Sequence, residues 1–228
     1  MEPPSTKPNR REWAAVVLLG AIGLLAFAKI GGDVFAHQSA GFDAAIRAWV
    51  LAHRTPALFT FFHWVTTIGQ TRTMYVLALA TSAYLWYRDK RRVAASVLIA
   101  PALAVAVYES VKRLYGRARP PTYGRVSHGF SFPSAHATAA AAVCCTLAYV
   151  LWREGLLGRF SALFLAVVVP LLVGASRVYL DAHWATDVLG GWSAGVTIAA
   201  LAAGLYDRTR RRRDAAEYVG TPTVSRNS

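Results

Sequence analysis

Apolar residues fill long stretches of the chain and polar ones gather between them. The pattern is neither strand-like alternation nor a narrow helical stripe, but whole runs without a polar face. A membrane-crossing helix needs about 20 mostly apolar residues, fewer where its ends snorkel. Six runs qualify: Trp13 to Ile30, Met74 to Tyr87, Val93 to Val111, Ala135 to Trp152, Phe160 to Ala175 and Ala185 to Leu205. They predict an all-α, polytopic membrane bundle of about six transmembrane helices, the architecture that satisfies every backbone group inside lipid. The second run is short, and Leu58 to Ile68 before it is expected to lean into the bilayer without crossing. After the first span, FDAAIRAWVLAHR sets Phe42, Ile46, Trp49 and Val50 on one helical face with Asp43 and Arg47 off it. That is the pattern of an amphipathic helix in the membrane interface, and equally of a connector packed on the bundle. Pro101 and Pro170 fall inside spans, where neighbouring helices can satisfy the freed carbonyls.

These runs divide the chain into an N-terminal tail (1–12), a membrane domain (13–206) and a basic tail (207–228) expected to be disordered. The stretch MEPPSTKPNRRE leads into an apolar segment without a convincing small-residue cleavage site, so the first run is read as an uncleaved span.

Composition narrows the class. Of 228 residues, 55% are hydrophobic, yet 25 Lys and Arg face 12 Asp and Glu, a net charge of +13. A nucleic-acid binder would concentrate such charge on one face of a polar domain. Here the basic residues punctuate apolar runs, so membrane lipid is the expected partner and nucleic acid is not. Cys144 and Cys145 are adjacent inside one run, a spacing that suits neither an ordinary disulfide between them nor a metal site.

The placement of the charges predicts an orientation. With the N-terminus cytoplasmic, that side collects Lys7, Arg10, Arg11, Arg88, Lys90 to Arg92, Arg153, Arg159, Arg208, Arg210 to Arg213 and Arg226. Trp13, Trp86 and Trp152 lie at the same helix ends, as an interfacial aromatic belt does. The other side nevertheless holds Lys29, Arg47, Arg54, Arg72 and Arg177, with a cluster from Lys112 to Arg125 that the bias would not place there. That cluster needs a separate purpose.

Three stretches at helix ends on that outer side carry chemistry: KRLYGRARP from Lys112, PSAH from Pro133 to His136, and SRVYLDAHWATD from Ser176 to Asp187. If His183 to Asp187 lie on a helix, their i,i+4 spacing sets carboxylate beside imidazole. The carboxylate would fix one ring nitrogen and leave the other free to attack. A histidine and an aspartate satisfying each other at a helix start have the same spacing. Lys112, Arg119 and Arg177 are three cations that would repel one another without an anion between them. A phosphate supplies it, matching the arginine forks. Ser134 and the amides opening the fourth span add donors, and Pro133 just before that helix costs it no needed hydrogen bond. His136, facing the same pocket, is available as a general acid for a leaving alkoxide. The sequence offers no Asp/Glu cluster for magnesium or calcium, and the three cations would supply a metal's electrostatic effect, so no cofactor is expected.

Lys112 with Arg119 and Pro120, then Pro133 to His136, then Ser176 and Arg177 with His183 and Asp187, resemble the three signature motifs of the type 2 phosphatidic acid phosphatase (PAP2) superfamily in spacing and order. The resemblance covers Lys112 to Asp187 directly. It implies a membrane-embedded, metal-independent phosphatase acting through a phosphohistidine. His183 would be the nucleophile, Asp187 its orienting partner and His136 the acid, with Lys112, Arg119, Ser134, Ala135 and Arg177 holding the phosphate. The family usually has glycine where Ala135 stands; the amide donor survives that change. Phosphatidate, phosphatidylglycerophosphate and polyprenyl pyrophosphate all fit a pocket at the membrane surface whose substrates keep their tails in the bilayer. A lipid phosphotransferase with the same site, and a non-catalytic lipid-binding or transport protein, are the alternatives. The expected location is the cytoplasmic membrane, with both termini cytoplasmic and the pocket on the extracytoplasmic face.

His37, His53, His63 and His128 have no partner at a telling spacing and are assigned to loops or interfaces. Arg113, Arg117 and Arg125 are assigned as solvated loop charges with a mild steering effect, and Asp181 and Trp184 as neighbours of the site.

Overall fold

The structure is a computed structural model describing residues 10–121 and 129–220, with side chains through Arg210. It is helical: α1 Arg10–Phe35, α2 Ala40–Ala52, α3 Pro56–Ile68, α4 Thr71–Tyr87, α5 Arg91–Tyr115, α6 Ala135–Arg153, α7 Arg159–Tyr179 and α8 Ala185–Gly220. Within α7 the turn over Phe164–Val168 widens to a π-helix just before Pro170, whose missing N–H would break a regular ladder there.

Five of these helices, α1, α5, α6, α7 and α8, are long and apolar enough to cross a membrane. The sixth expected span lies in α4, which at 17 residues is short for a crossing. Its neighbour α3 runs inward. Thr55, just before α3, bonds to Tyr179, Thr66 bonds to Arg177, and Gly69, just after α3, abuts Val173. Six residues of α7 separate Tyr179 from Val173, about 9 Å of helix rise. So α4 starts below the level of the other helix ends and runs from there to the opposite end of the bundle.

The packing has a centre, α6, most of whose residues are buried by α4, α5, α7 and α8. Between membrane helices the lipid offers no hydrophobic driving force, so close van der Waals approach must hold the bundle together. The alanines of α6 and the glycines of α8 allow it. A Cβ on Gly195 would sit 2.5 Å from Ala141 Cβ and 2.8 Å from the Thr138 carbonyl oxygen; one on Gly191 would sit 2.9 Å from the Ser134 oxygen. Large apolar residues of α1, among them Leu18, Leu19, Ile22 and Leu25, face outward, as lipid-facing positions do.

At the end away from the predicted site, charged side chains tie the helices together. Lys90 pairs with Glu154, which also accepts from Tyr206 at 2.7 Å, and Arg210 donates to the Arg153 carbonyl at 2.8 Å. Tyr149 donates to Asp207 at 2.9 Å. These contacts continue α8 past Tyr206, and the chain is helical to Gly220 where the sequence predicts a disordered tail. Asp207 and Arg210, which look like tail residues by composition, are held by α6.

Helix α2 is where expected, with an added role. Phe42 and Trp49 are exposed, whereas Asp43 is 1% exposed and Arg47 is half-buried. The aromatic edge turns outward, and the polar edge turns into the protein.

Candidate active site

Three loops meet at the end of the bundle. Helix α5 stops at Gly116, whose φ of +56° is the left-handed conformation that favours glycine at a helix C-terminus. The strand-like stretch after it pairs with the approach to α6: Ser131 N donates to the Arg117 oxygen at 2.8 Å and Ser131 Oγ to the Ala118 oxygen at 3.1 Å. The turn between α7 and α8 closes on the same stretch, with Trp184 Nε1 donating to the Ala118 oxygen at 2.9 Å and Arg119 Nη1 to the Ala182 oxygen at 2.8 Å. Ser134 N donates to the Asp187 backbone oxygen at 3.0 Å, locking the start of α6 to the start of α8. All three sequence motifs are thereby brought to one place.

Buried His183 stands between two partners. Its Nδ1 lies 3.3 Å from Asp187 Oδ2, and its Nε2 lies 3.0 Å from Arg119 Nη1. A guanidinium only donates, so Nε2 must accept, and the ring proton belongs on Nδ1, donated to Asp187. Burial pushes the His183 pKa down to about 4, against the opposing pull of Asp187. The ring is therefore neutral at ordinary pH, with its lone pair at Nε2 facing a cation. Arg119, also under a desolvation cost that lowers its pKa, is held by the Gly129 oxygen at 3.1 Å as well.

Lys112, Arg119, Arg177 and His136 all lie within electrostatic reach of one another, and His183 is within reach of His136 and both arginines. Arg177 Nη1 donates to Thr66 at 2.7 Å, while its buried Nε has no partner among the described residues. Ser134 caps α6, its Oγ accepting from Ala137 N at 3.5 Å. Ala135 and His136 occupy the first turn, half-buried, where helix amides lack intrahelical acceptors. The structure thus brings Lys112, Arg119, the start of α6 with His136, Arg177, His183 and Asp187 to one end of the bundle. Cations, helix-start donors and an acceptor nitrogen converge there, which is the chemistry for holding a phosphoryl group and attacking its phosphorus. Among the described residues, no three His, Cys, Asp or Glu side chains cluster as a metal-holding group.

Arg117 corrects its assignment as a solvated loop charge. Its side chain is 16% exposed and bridges two buried carboxylates, donating from Nη1 to Asp187 Oδ1 at 2.7 Å and from Nη2 to Asp43 Oδ2 at 2.6 Å. Asp43 also accepts from Thr186 N at 2.9 Å and Thr186 Oγ1 at 2.6 Å. Arg47, one turn along α2, forms a two-pronged bond to Asp181 at 2.7 and 2.9 Å, which raises its pKa. Sequence reasoning missed these partners. Acids are few at this end of the bundle, and the i,i+4 pair Asp43 and Arg47 on the polar edge of α2 was the available signal. Arg113 is exposed, as expected; Arg125 and His128 lie outside the described residues.

A model of the PAP2 superfamily matches residues 93–211. The phosphatidylglycerophosphatase B of Bacillus subtilis is 31% identical over 175 residues, covering 75% of this chain and 86% of that protein. An undecaprenyl-diphosphatase of Sulfolobus acidocaldarius is 26% identical over 204 residues, covering 84% of this chain and 90% of that one. Among solved structures, the transmembrane PAP2-type phosphatidylglycerolphosphate phosphatase from Bacillus subtilis superposes with a TM-score of 0.62 at 28% identity, over 88% of this chain and 96% of that chain.

Proposed function

The chain belongs to the PAP2 superfamily, and on that premise we propose that it is a multi-pass membrane lipid phosphatase that cleaves a lipid phosphomonoester or pyrophosphate through a phosphohistidine on His183. One observation carries the reading: His183 Nε2 is held as the unprotonated nitrogen by Asp187 behind it and faces Arg119 in front.

In the proposed reaction Nε2 attacks phosphorus in line and the P–O bond to the lipid oxygen breaks. His136 gives its proton to that leaving oxygen. The phosphorylated ring carries a positive charge, which Asp187 balances. Water then attacks the phosphohistidine, giving its proton to His136, and phosphate departs with His183 neutral again. Lys112, Arg119 and Arg177 neutralise the phosphoryl oxygens throughout, and Ser134 and the Ala135 amide donate hydrogen bonds to them. No metal takes part in this scheme.

The cytoplasmic membrane is the proposed location, with both termini cytoplasmic and the site on the outer face. The support is charge: Arg10, Arg11, Arg88, Lys90 to Arg92, Arg153, Arg159 and Arg208 gather at the helix ends opposite the site. The substrate is tested by offering purified protein in detergent a panel of phosphatidylglycerophosphate, phosphatidate and undecaprenyl pyrophosphate, alongside His183→Ala, and measuring free phosphate. Release from at least one substrate by wild type and none by the variant is expected. Equal release by both would exclude the proposed nucleophile.

A further inference from the structure

The nucleophile's partner, Asp187, is wholly buried, and a buried carboxylate needs a compensating charge and filled acceptor sites. Its Oδ2 accepts from Trp184 N at 2.9 Å and from His183. Its Oδ1 accepts from Arg117 at 2.7 Å, and the Ser131 hydroxyl, donated to the Ala118 oxygen, lies 3.4 Å away. Arg117 is therefore the charged group in hydrogen-bond contact that fixes which way this carboxylate points. Arg117 in turn is aimed from the far side: its second amino group lies on Asp43, 74 positions earlier in the chain. Asp43 belongs to α2, yet it also receives the amide of Thr186 in the first turn of α8. It thus caps, from another helix, the same turn that carries Asp187. Thr186 Oγ1 completes the set, accepting from Arg117 at 2.8 Å while donating to Asp43.

Resting on the phosphohistidine reading above, we infer that Asp43 and Arg117 are positioning residues for the nucleophile: α2 reaches across the site to hold Arg117, and Arg117 holds Asp187 in the orientation that keeps the His183 proton on Nδ1. Neither touches His183. They act through a carboxylate that does, as outer partners of metal-bound histidines do; loss of those costs roughly 10- to 100-fold in activity, and a loss of that order is expected here. Lysine cannot replace Arg117, because the two carboxylates are gripped by separate amino groups of one planar fork.

The test uses full-length Arg117→Lys, Arg117→Gln and Asp43→Asn, purified in detergent, with Arg113→Ala as an exposed neighbouring control. Phosphate release is followed against substrate concentration and pH, and folded fraction by size exclusion and melting. The charges facing His183 and its partner are Lys112, Arg117 and Arg119 around the end of α5, His136 on α6, Arg177 on α7, and Asp43 and Asp187 on α2 and α8. Of these, Arg117→Gln removes one cation, which makes protonation of the nucleophile easier. Its acid limb should therefore move to higher pH. Arg117→Lys keeps a cation and should keep the limb, and Asp43→Asn should not raise it.

All three variants are expected to lose kcat about 10- to 100-fold per folded molecule with KM changed little, and the control to match wild type. Arg117→Lys preserves charge and most of the buried volume, so it stays informative if Arg117→Gln does not fold. Wild-type kcat in folded Arg117→Lys and Asp43→Asn overturns the inference. So does a loss that tracks only the folded fraction with an unshifted pH profile. Either result leaves the phosphohistidine reading standing so long as His183→Ala is inactive; an active His183→Ala overturns that reading and this inference together.

Discussion

Arg119 Nη1 donates to His183 Nε2 at 3.0 Å, so the nitrogen that faces the cations is the one without a proton. Burial holds the His183 pKa down to about 4, and a protonated Nε2 has no lone pair with which to attack. The folded-state pKa is depressed, so the active form persists below the usual histidine range and is lost as pH falls through about 4. A kcat/KM profile between about pH 3 and pH 8 should show its acid limb near 4, not near 6.5. A limb at the ordinary histidine value would mean that the ring is solvated or free of the cations.

Thr66, near the end of α3, accepts from Arg177 Nη1 at 2.7 Å and is this helix's direct link to the phosphate-binding set. Thr66→Val removes the acceptor at nearly constant volume. One hydrogen bond to a charged group is worth about 1.5 kcal/mol or more, so kcat/KM should fall about tenfold or more, with vanadate inhibition weakened in parallel. Steady-state kinetics on the best substrate of the panel measures both.

In the proposed scheme Lys112, Arg119 and Arg177 supply the positive charge that a metal would otherwise bring. Turnover should therefore persist in a metal chelator and fall with vanadate, which imitates five-coordinate phosphorus. Activity abolished by chelator and restored by magnesium would contradict the scheme.

Gly195 makes the close contact between α8 and α6, where an added Cβ would meet the Ala141 Cβ, the Thr138 oxygen and the Ala142 nitrogen within 2.9 Å. Gly195→Ala should cost about 1–3 kcal/mol, because the opposing atoms are largely backbone and cannot swing away. Gly32→Ala, with nothing within 4 Å of its Cβ, should leave the melting temperature unchanged or slightly raised. Thermal melting of the two variants in one detergent separates them.

The spans and the three motifs are legible in the sequence because both are local signals. An apolar run announces a helix, and His183 to Asp187 are one helical turn apart. Arg117 is not legible in this way, since its partners Asp43 and Asp187 stand 74 and 70 positions away. By local pattern it matches exposed Arg113. Helix α2 misleads similarly: its aromatic edge fits a membrane interface, and nothing in its periodicity says that its polar edge faces a protein site. Composition also hides where the basic stretch after Tyr206 joins the bundle. Composition marks it as solvated, while Asp207 and Arg210 find partners on α6.

The proposed reaction requires a covalent bond between phosphorus and His183 Nε2. Rapid mixing of enzyme with radiolabelled substrate, quenching under alkaline conditions and peptide mass spectrometry measures it directly. A transient phosphoryl group on His183 is expected, formed no more slowly than phosphate is released and missing in His183→Ala. Steady turnover with no labelled protein at any time, or label carried on another residue, would contradict it.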